Sequence, residues 1–176
     1  MSALVEAPID SSLLDAAQRA FADQGLERST LERIAAEAGI SRVTLHRRGV
    51  TKDALVAALA ERAVDQYRRA MWPVLTGPGT NEERLESALA ALCGVVEDNR
   101  DAEVLTRRSF ADPFERLLHD GAEGGSLRAL DPRDGAAALV NLVGQTYLHL
   151  RTGHRWSPKR AQKATLDLAL RGVLAR

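Results

Sequence analysis

The chain has little with which to cross-link itself. A single cysteine, Cys93, cannot close an intramolecular disulfide, so packing alone must hold the fold. No stretch is long and apolar enough to span a membrane, and the opening residues MSALVEAPIDSS lack the basic start and apolar core of a secretory signal. No membrane partner is expected, and the expected compartment is a reducing cytoplasm. Excess charge is also lacking: 24 basic residues against 24 acidic ones give a formal net charge of zero. Nothing global attracts nucleic acid, and any DNA affinity must come from a local patch. The parts of a catalytic centre are missing too. There is no glycine-rich phosphate loop and no serine in a nucleophile-elbow pattern. His119, His149 and His154 have no ligand spacing with acids or thiols, and Cys93, in ALCGVV, reads as a small core hydrophobe. Neither enzymatic activity, a metal nor a cofactor is expected.

What remains is a helical chain. Its 176 residues, 45% of them hydrophobic, can bury a sizeable core. The apolar period is helical nearly throughout, with no repeat, low-complexity tract or strand pattern. Leu13, Leu14, Ala17, Ala20 and Phe21 stripe a first helix that begins near Asp10 to Ser12 and ends at Gly25. Thr51 caps a long helix carrying Leu55, Leu59, Ala63, Tyr67 and Met71, which Trp72-Pro73 is expected to stop. Thr80 and Glu83 form a capping box ahead of Leu85, Leu89, Leu92 and Val96. Between Asn99 and Gly125 the pattern suggests two short helices separated near Asp112-Pro113, and Asp131-Pro132 and Ser157-Pro158 open the last two.

The densest signal lies in residues 29 to 56, STLERIAAEAGISRVTLHRRGVTKDALV, which read as two short helices joined by a tight turn and the start of a third. That is the layout of a DNA-reading helix-turn-helix. Ile34 and Ala38, four apart, can face the core, and Ala35 lets a second helix approach. Gly39 can take positive φ at the turn, Ile40 packs back and Ser41 caps the next helix. Leu45 should point inward, leaving Arg42, Val43, Thr44, His46 and Arg47 outside. From Ser41 to Lys52 there are four cations (Arg42, Arg47, Arg48, Lys52) and no acid, the local patch that zero net charge requires.

On these residues the chain resembles the tetracycline-repressor (TetR) family of bacterial transcription regulators. The matching positions are Thr30, Ile34-Ala35, Ala38-Gly39-Ile40-Ser41, Thr44-Leu45, and Thr51-Lys52-Asp53 with Leu55. Two positions depart from the family pattern: His46 stands where a tyrosine is usual, and Gly49 where a phenylalanine is usual. Gly49 reads as a helix C-cap, with Val50 replacing part of the lost apolar contact. An excess of arginine over lysine, 21 to three, fits the coding bias of a GC-rich bacterial genome.

The resemblance implies an all-α fold of about nine helices: a three-helix DNA-binding head, residues 10–55, and a helical body, residues 56–176, that binds effectors and dimerises. It implies a repressor that leaves a palindromic double-stranded DNA operator when a small-molecule effector binds. In the head, Arg42, Thr44, Arg47 and Val43 should approach base edges, while Thr30, His46 and Lys52 serve backbone phosphates. In the body, the stripes Ala136, Leu139, Val140, Val143, Tyr147, Leu150 and Leu166, Ala169, Leu170, Val173, Leu174 offer a homodimer interface centred on Leu139, Val143, Tyr147, Leu166, Leu170 and Val173. Asn141, Gln145 and His149, four apart, form a polar row. Part of it, Asn141 with Gln145, is expected to line an effector pocket closed by Trp72, Leu89, Cys93, Val96, Phe110, Phe114 and Leu118. No Arg or Lys is placed there, so the ligand should be neutral and largely apolar. The competing reading is a helical dimerisation or adaptor protein whose altered head, at His46 and Gly49, no longer reads DNA.

Overall fold

The computed structural model describes residues 9–100 and 111–174, in which eight α-helices are found and the β-structure is one isolated bridge, Leu127 to Leu174. Among the described residues no helix is long and apolar enough to cross a membrane. The described residues form two compact units, one built around residues 9–63 and the other around 64–100 and 111–174.

The first unit holds α1 (Ser11–Gln24), α2 (Leu31–Glu37), α3 (Arg42–Arg47) and the start of α4 (Lys52–Thr76). Each begins at a side chain that takes over an orphan backbone N–H. Asp10 Oδ1 accepts from Leu13 N at 2.9 Å, Thr30 from Arg33 N at 3.3 Å, Ser41 from Thr44 N at 3.1 Å and Thr51 from Ala54 N at 3.1 Å. Leu13, Ala17 and Phe21 of α1, Ile34 of α2, Leu45 of α3 and Leu55, Val56 and Leu59 of α4 close one apolar core. A buried hydroxyl ties the corner after α1, Ser29 Oγ donating to Ala20 O and Gly25 O at 2.9 Å each.

The fourth helix does not stop at Trp72-Pro73. It continues to Thr76 with Pro73 inside it. A proline forfeits one backbone donor. Here the loss falls near the C-terminal end, where Thr76 Oγ1 donates to Trp72 O at 2.8 Å and Gly77 N to Pro73 O at 2.9 Å. Those bonds satisfy carbonyls the ending helix would otherwise leave open.

The second unit continues with α5 (Asn81–Asp98), α6 (Asp112–Glu123), α7 (Pro132–Thr152) and α8 (Pro158–Val173). The Thr80–Glu83 capping box is formed on both sides, and Asp131 and Ser157 cap α7 and α8 ahead of their prolines. Helix α5 packs on α6, α7 and α8, and α7 packs on α6 and α8. Leu89, Leu92, Phe114, Val143 and Ala161 lie within this interior. Gly121 is required where the chain leaving α6 folds back, because a Cβ there would sit 2.3 Å from Leu127 Cδ1.

Candidate nucleic-acid interface

Both short helices of the first unit end in the same way. After α2, Gly39 takes φ +70°, its N–H reaches Ala36 O at 3.1 Å and Ile40 N reaches Ala35 O at 2.9 Å. After α3, Gly49 takes φ +66°, its N–H reaches His46 O at 3.0 Å and Val50 N reaches Leu45 O at 3.3 Å. These paired bonds are the Schellman closure, which needs a left-handed residue just past the cap. Gly49 is therefore a helix end, and Val50, 7% exposed, packs into the core beside Leu45.

The closure leaves one side of α3 open. Arg42, Val43, His46 and Arg47 are exposed, and Val43 stands out at 76%. Thr44 is half-buried, its hydroxyl 2.9 Å from Ser41 Oγ, so it helps to hold the cap. Arg42 Nε lies 2.9 Å from Glu32 Oε1 of α2, with both side chains exposed. Lys52 Nζ donates to Glu27 O at 3.2 Å. Arg48, by contrast, turns toward α1 and pairs with Asp10 Oδ2 at 3.0 Å. Asp10 thus caps α1 with one oxygen and holds the end of α3 with the other. The Leu13 N–H first, then Ser12 and Arg48, hold its carboxyl below the usual range. Exposed pairs of this kind are worth little in water. A phosphate or a base edge can displace Glu32 from Arg42 at small cost.

The residues expected to line an effector pocket divide. Leu89, Cys93, Val96, Phe114 and Leu118 are buried in the second unit. Trp72 is 70% exposed, and Asn141 and Gln145 face outward on α7, Asn141 returning its amide to Ala137 O at 2.8 Å. These three are not closed into that interior; spacing on a helix puts side chains on one face without saying which face is inside. Phe110 lies outside the described residues. Clefts among the described residues of this unit include one of about 440 Å³ beside Ala90, Gln162 and Leu166 and one of about 220 Å³ beside Pro73, Gly77 and Arg84, and neither of these is lined by the expected set. The Cys93 thiol is pushed up to about 12 by burial, which keeps it protonated and unreactive at neutral pH.

The apolar residues expected at a dimer interface are similarly placed inside. Leu139, Val143, Tyr147, Leu166 and Val173 are buried within a single copy, and Leu170 is half-buried. The large apolar side chains left outside on the same two helices are Leu142 and Leu168, 55% and 71% exposed. Each helix has apolar residues on more than one side, and the continuous stripe is the one its own unit buries.

A polar cluster that the sequence pattern does not single out lies close to Cys93. Glu97 of α5 accepts from Arg151 Nε and Nη2 and from the Tyr147 hydroxyl, both residues of α7, while Arg151 Nη1 also donates to Trp156 O in the loop before α8. Tyr147 and Arg151 are four apart and share a face, but only packing shows that Glu97 faces them.

Residues 13–59 match the family described as bacterial regulatory proteins, tetR family. The HTH-type transcriptional regulator HbdR of Aromatoleum sp. strain CIB is 32% identical over 97 residues, covering 55% of this chain; the matched part spans 42% of HbdR, less than half its length. A bacterial regulatory protein in the tetR family from Rhodococcus RHA1 superposes with a TM-score of 0.73 at 23% identity, over 92% of this chain and 94% of its own. SmeT, the repressor of the Stenotrophomonas maltophilia multidrug efflux pump SmeDEF, superposes with a TM-score of 0.68 at 24% identity, over 96% of this chain and 91% of its own. A complex of SmeT with triclosan superposes at 0.64 and 24% identity, over 93% and 90%. At these identities the structural likeness establishes the fold.

Proposed function

Since the chain belongs to the tetR family of bacterial regulatory proteins, we propose that it is a repressor that binds a palindromic operator as a homodimer and leaves it when a small, largely apolar effector binds. The observation that carries the DNA reading is the open side of α3. A helix held at both ends by Ser41 and Gly49 presents Arg42, Val43, His46 and Arg47 to solvent, with Lys52 beside it at the start of α4. In a major groove Arg42 and Arg47 serve base edges, and Thr30, His46 and Lys52 serve phosphates. Thr44 and Arg48 act indirectly, by holding the helix in place.

Two copies would set their α3 helices about 34 to 36 Å apart, one turn of DNA, which makes the operator a palindrome. Leu142 and Leu168 supply the apolar contact for pairing, backed by the buried Leu139, Val143, Tyr147 and Leu166. The effector would enter among Leu89, Cys93, Val96, Phe114 and Leu118, an apolar interior in which a neutral ligand leaves no charge unpaired. The triclosan complex of SmeT, a protein of the same fold, supports a ligand of this class. Release would follow from population shift, since a ligand that favours a form with the heads wrongly spaced lowers operator affinity by its preference for that form.

Selection of binding sites from random duplex DNA tests the reading. A palindromic consensus is expected, and Arg47→Ala should abolish its enrichment. A chain that enriches nothing while remaining folded and dimeric is an adaptor. For the effector, neutral apolar compounds are screened by thermal shift against wild type and Val96→Phe, which fills the proposed space. If a compound that releases DNA stabilises both proteins equally, the pocket is elsewhere.

A further inference from the structure

We infer that Val43 is a specificity residue that reads the 5-methyl group of a thymine in each operator half-site. This rests on the DNA reading above and adds the one base feature to which the open side of α3 commits. Val43 is the second residue of α3, in the half of a recognition helix that approaches base edges. It is 76% exposed, the most exposed of the large hydrophobic residues among those described, and it sits between Arg42, paired with Glu32, and Thr44, bonded to Ser41. A valine offers the groove neither donor nor acceptor. Its branched Cβ allows few χ1 states, so its two methyls have a nearly fixed place relative to the helix. The apolar feature on the floor of the major groove is the thymine C5 methyl; the other base edges there present donors and acceptors. A guanine or adenine edge opposite Val43 would lose its water and gain no hydrogen bond in return.

The test separates this contact from DNA binding in general. The duplex selected from a random library by the wild-type chain is resynthesised with uracil at one thymine at a time, which removes only the methyl. One thymine in each half-site should prove sensitive, its uracil duplex binding wild type roughly three- to fivefold more weakly, as expected for one apolar carbon leaving a contact. Val43→Ala should bind the parental duplex more weakly and lose that uracil sensitivity, while Val43→Ile keeps it. Both variants should melt like wild type, because the side chain is outside the core. Every uracil duplex binding within about 1.5-fold of the parent, or Val43→Ala responding as wild type does, overturns the inference and leaves the DNA reading intact. Failure of the library to yield any consensus overturns both.

Discussion

Arg151 closes on Glu97 through two hydrogen bonds of 2.7 Å, Nε to Oε2 and Nη2 to Oε1, and so joins α7 to α5 by a planar fork. The pair is largely withdrawn from water, the side chains being 14% and 26% exposed. Tyr147 adds its hydroxyl to the same carboxylate at 3.0 Å. Such a fork is geometrically specific, and removing one member strands the other.

Glu97→Gln should therefore destabilise the chain by about 2 kcal/mol, since one charged acceptor of three bonds becomes a neutral group able to keep fewer of them. The pH dependence has a definite sign. Arg151 chiefly, then Tyr147, hold the Glu97 carboxyl below its ordinary 4.5 against the opposing effect of burial. A lowered folded value means that the stabilisation is complete above pH 4.5 and is lost as pH falls through the folded value. Denaturant melts at pH 7 and at about pH 3 should show the gap between wild type and Glu97→Gln shrinking on acidification. A gap that stays constant would mean that the carboxylate charge is irrelevant.

Gly49 tests whether its departure from the family pattern is a defect or a device. At φ +66°, a Cβ meets no atom within 4 Å, so Gly49→Ala pays for the left-handed backbone alone, about 1 kcal/mol. Asparagine tolerates that region better, and Gly49→Asn should recover part of the loss. Thermal melts of the three proteins check the order. If alanine matches glycine, the left-handed backbone at this position carries no cost and the glycine is not required there.

Much of the architecture is legible in the sequence, because capping is local chemistry. Asp10, Thr30, Ser41, Thr51, Thr80, Asp131 and Ser157 each act within three residues of themselves, and each is readable from that window. Gly49 with Val50 is readable for the same reason. What the pattern does not carry is which helix meets which. The partnership of Glu97 with Arg151 spans 54 positions, and Arg48 reaches 38 positions back to Asp10, so neither leaves a periodic trace. Helical spacing puts Asn141 and Gln145 on one face of α7, but the direction of that face, outward, depends on how α7 lies against α5 and α8. Pro73 costs α4 one backbone bond but does not end it, and the helix runs on for three residues to Thr76, an extension that no local pattern announces.

Lys52 and Arg42 should fail differently. With Lys52 proposed to serve a phosphate, Lys52→Ala should weaken all duplexes alike and flatten the log–log salt dependence by ~0.9. Arg42→Ala should alter which sequence is preferred. Glu32→Gln frees Arg42 from its 2.9 Å partner and should modestly tighten binding at low salt. Filter binding over a salt series, on the selected duplex and on scrambled DNA, separates these cases. The assignment is wrong if Lys52→Ala changes sequence preference and Arg42→Ala does not.

The dimer face can be located by contrasting three charged substitutions on two neighbouring helices. Leu168 is 71% exposed in one copy, so Leu168→Glu should leave each subunit folded and, by placing a carboxylate in the pairing surface, shift it to monomer and abolish operator binding. Leu142→Glu should act in the same way. Val143 is fully buried within its own subunit, and Val143→Glu should instead unfold the second unit, because an unpaired buried carboxylate costs several kcal/mol. Sedimentation velocity with circular dichroism distinguishes the outcomes. A Leu168→Glu protein that remains dimeric at micromolar concentration would place the pairing surface away from the outer faces of α7 and α8. A folded, monomeric Val143→Glu would return the interface to the stripe that a single copy buries.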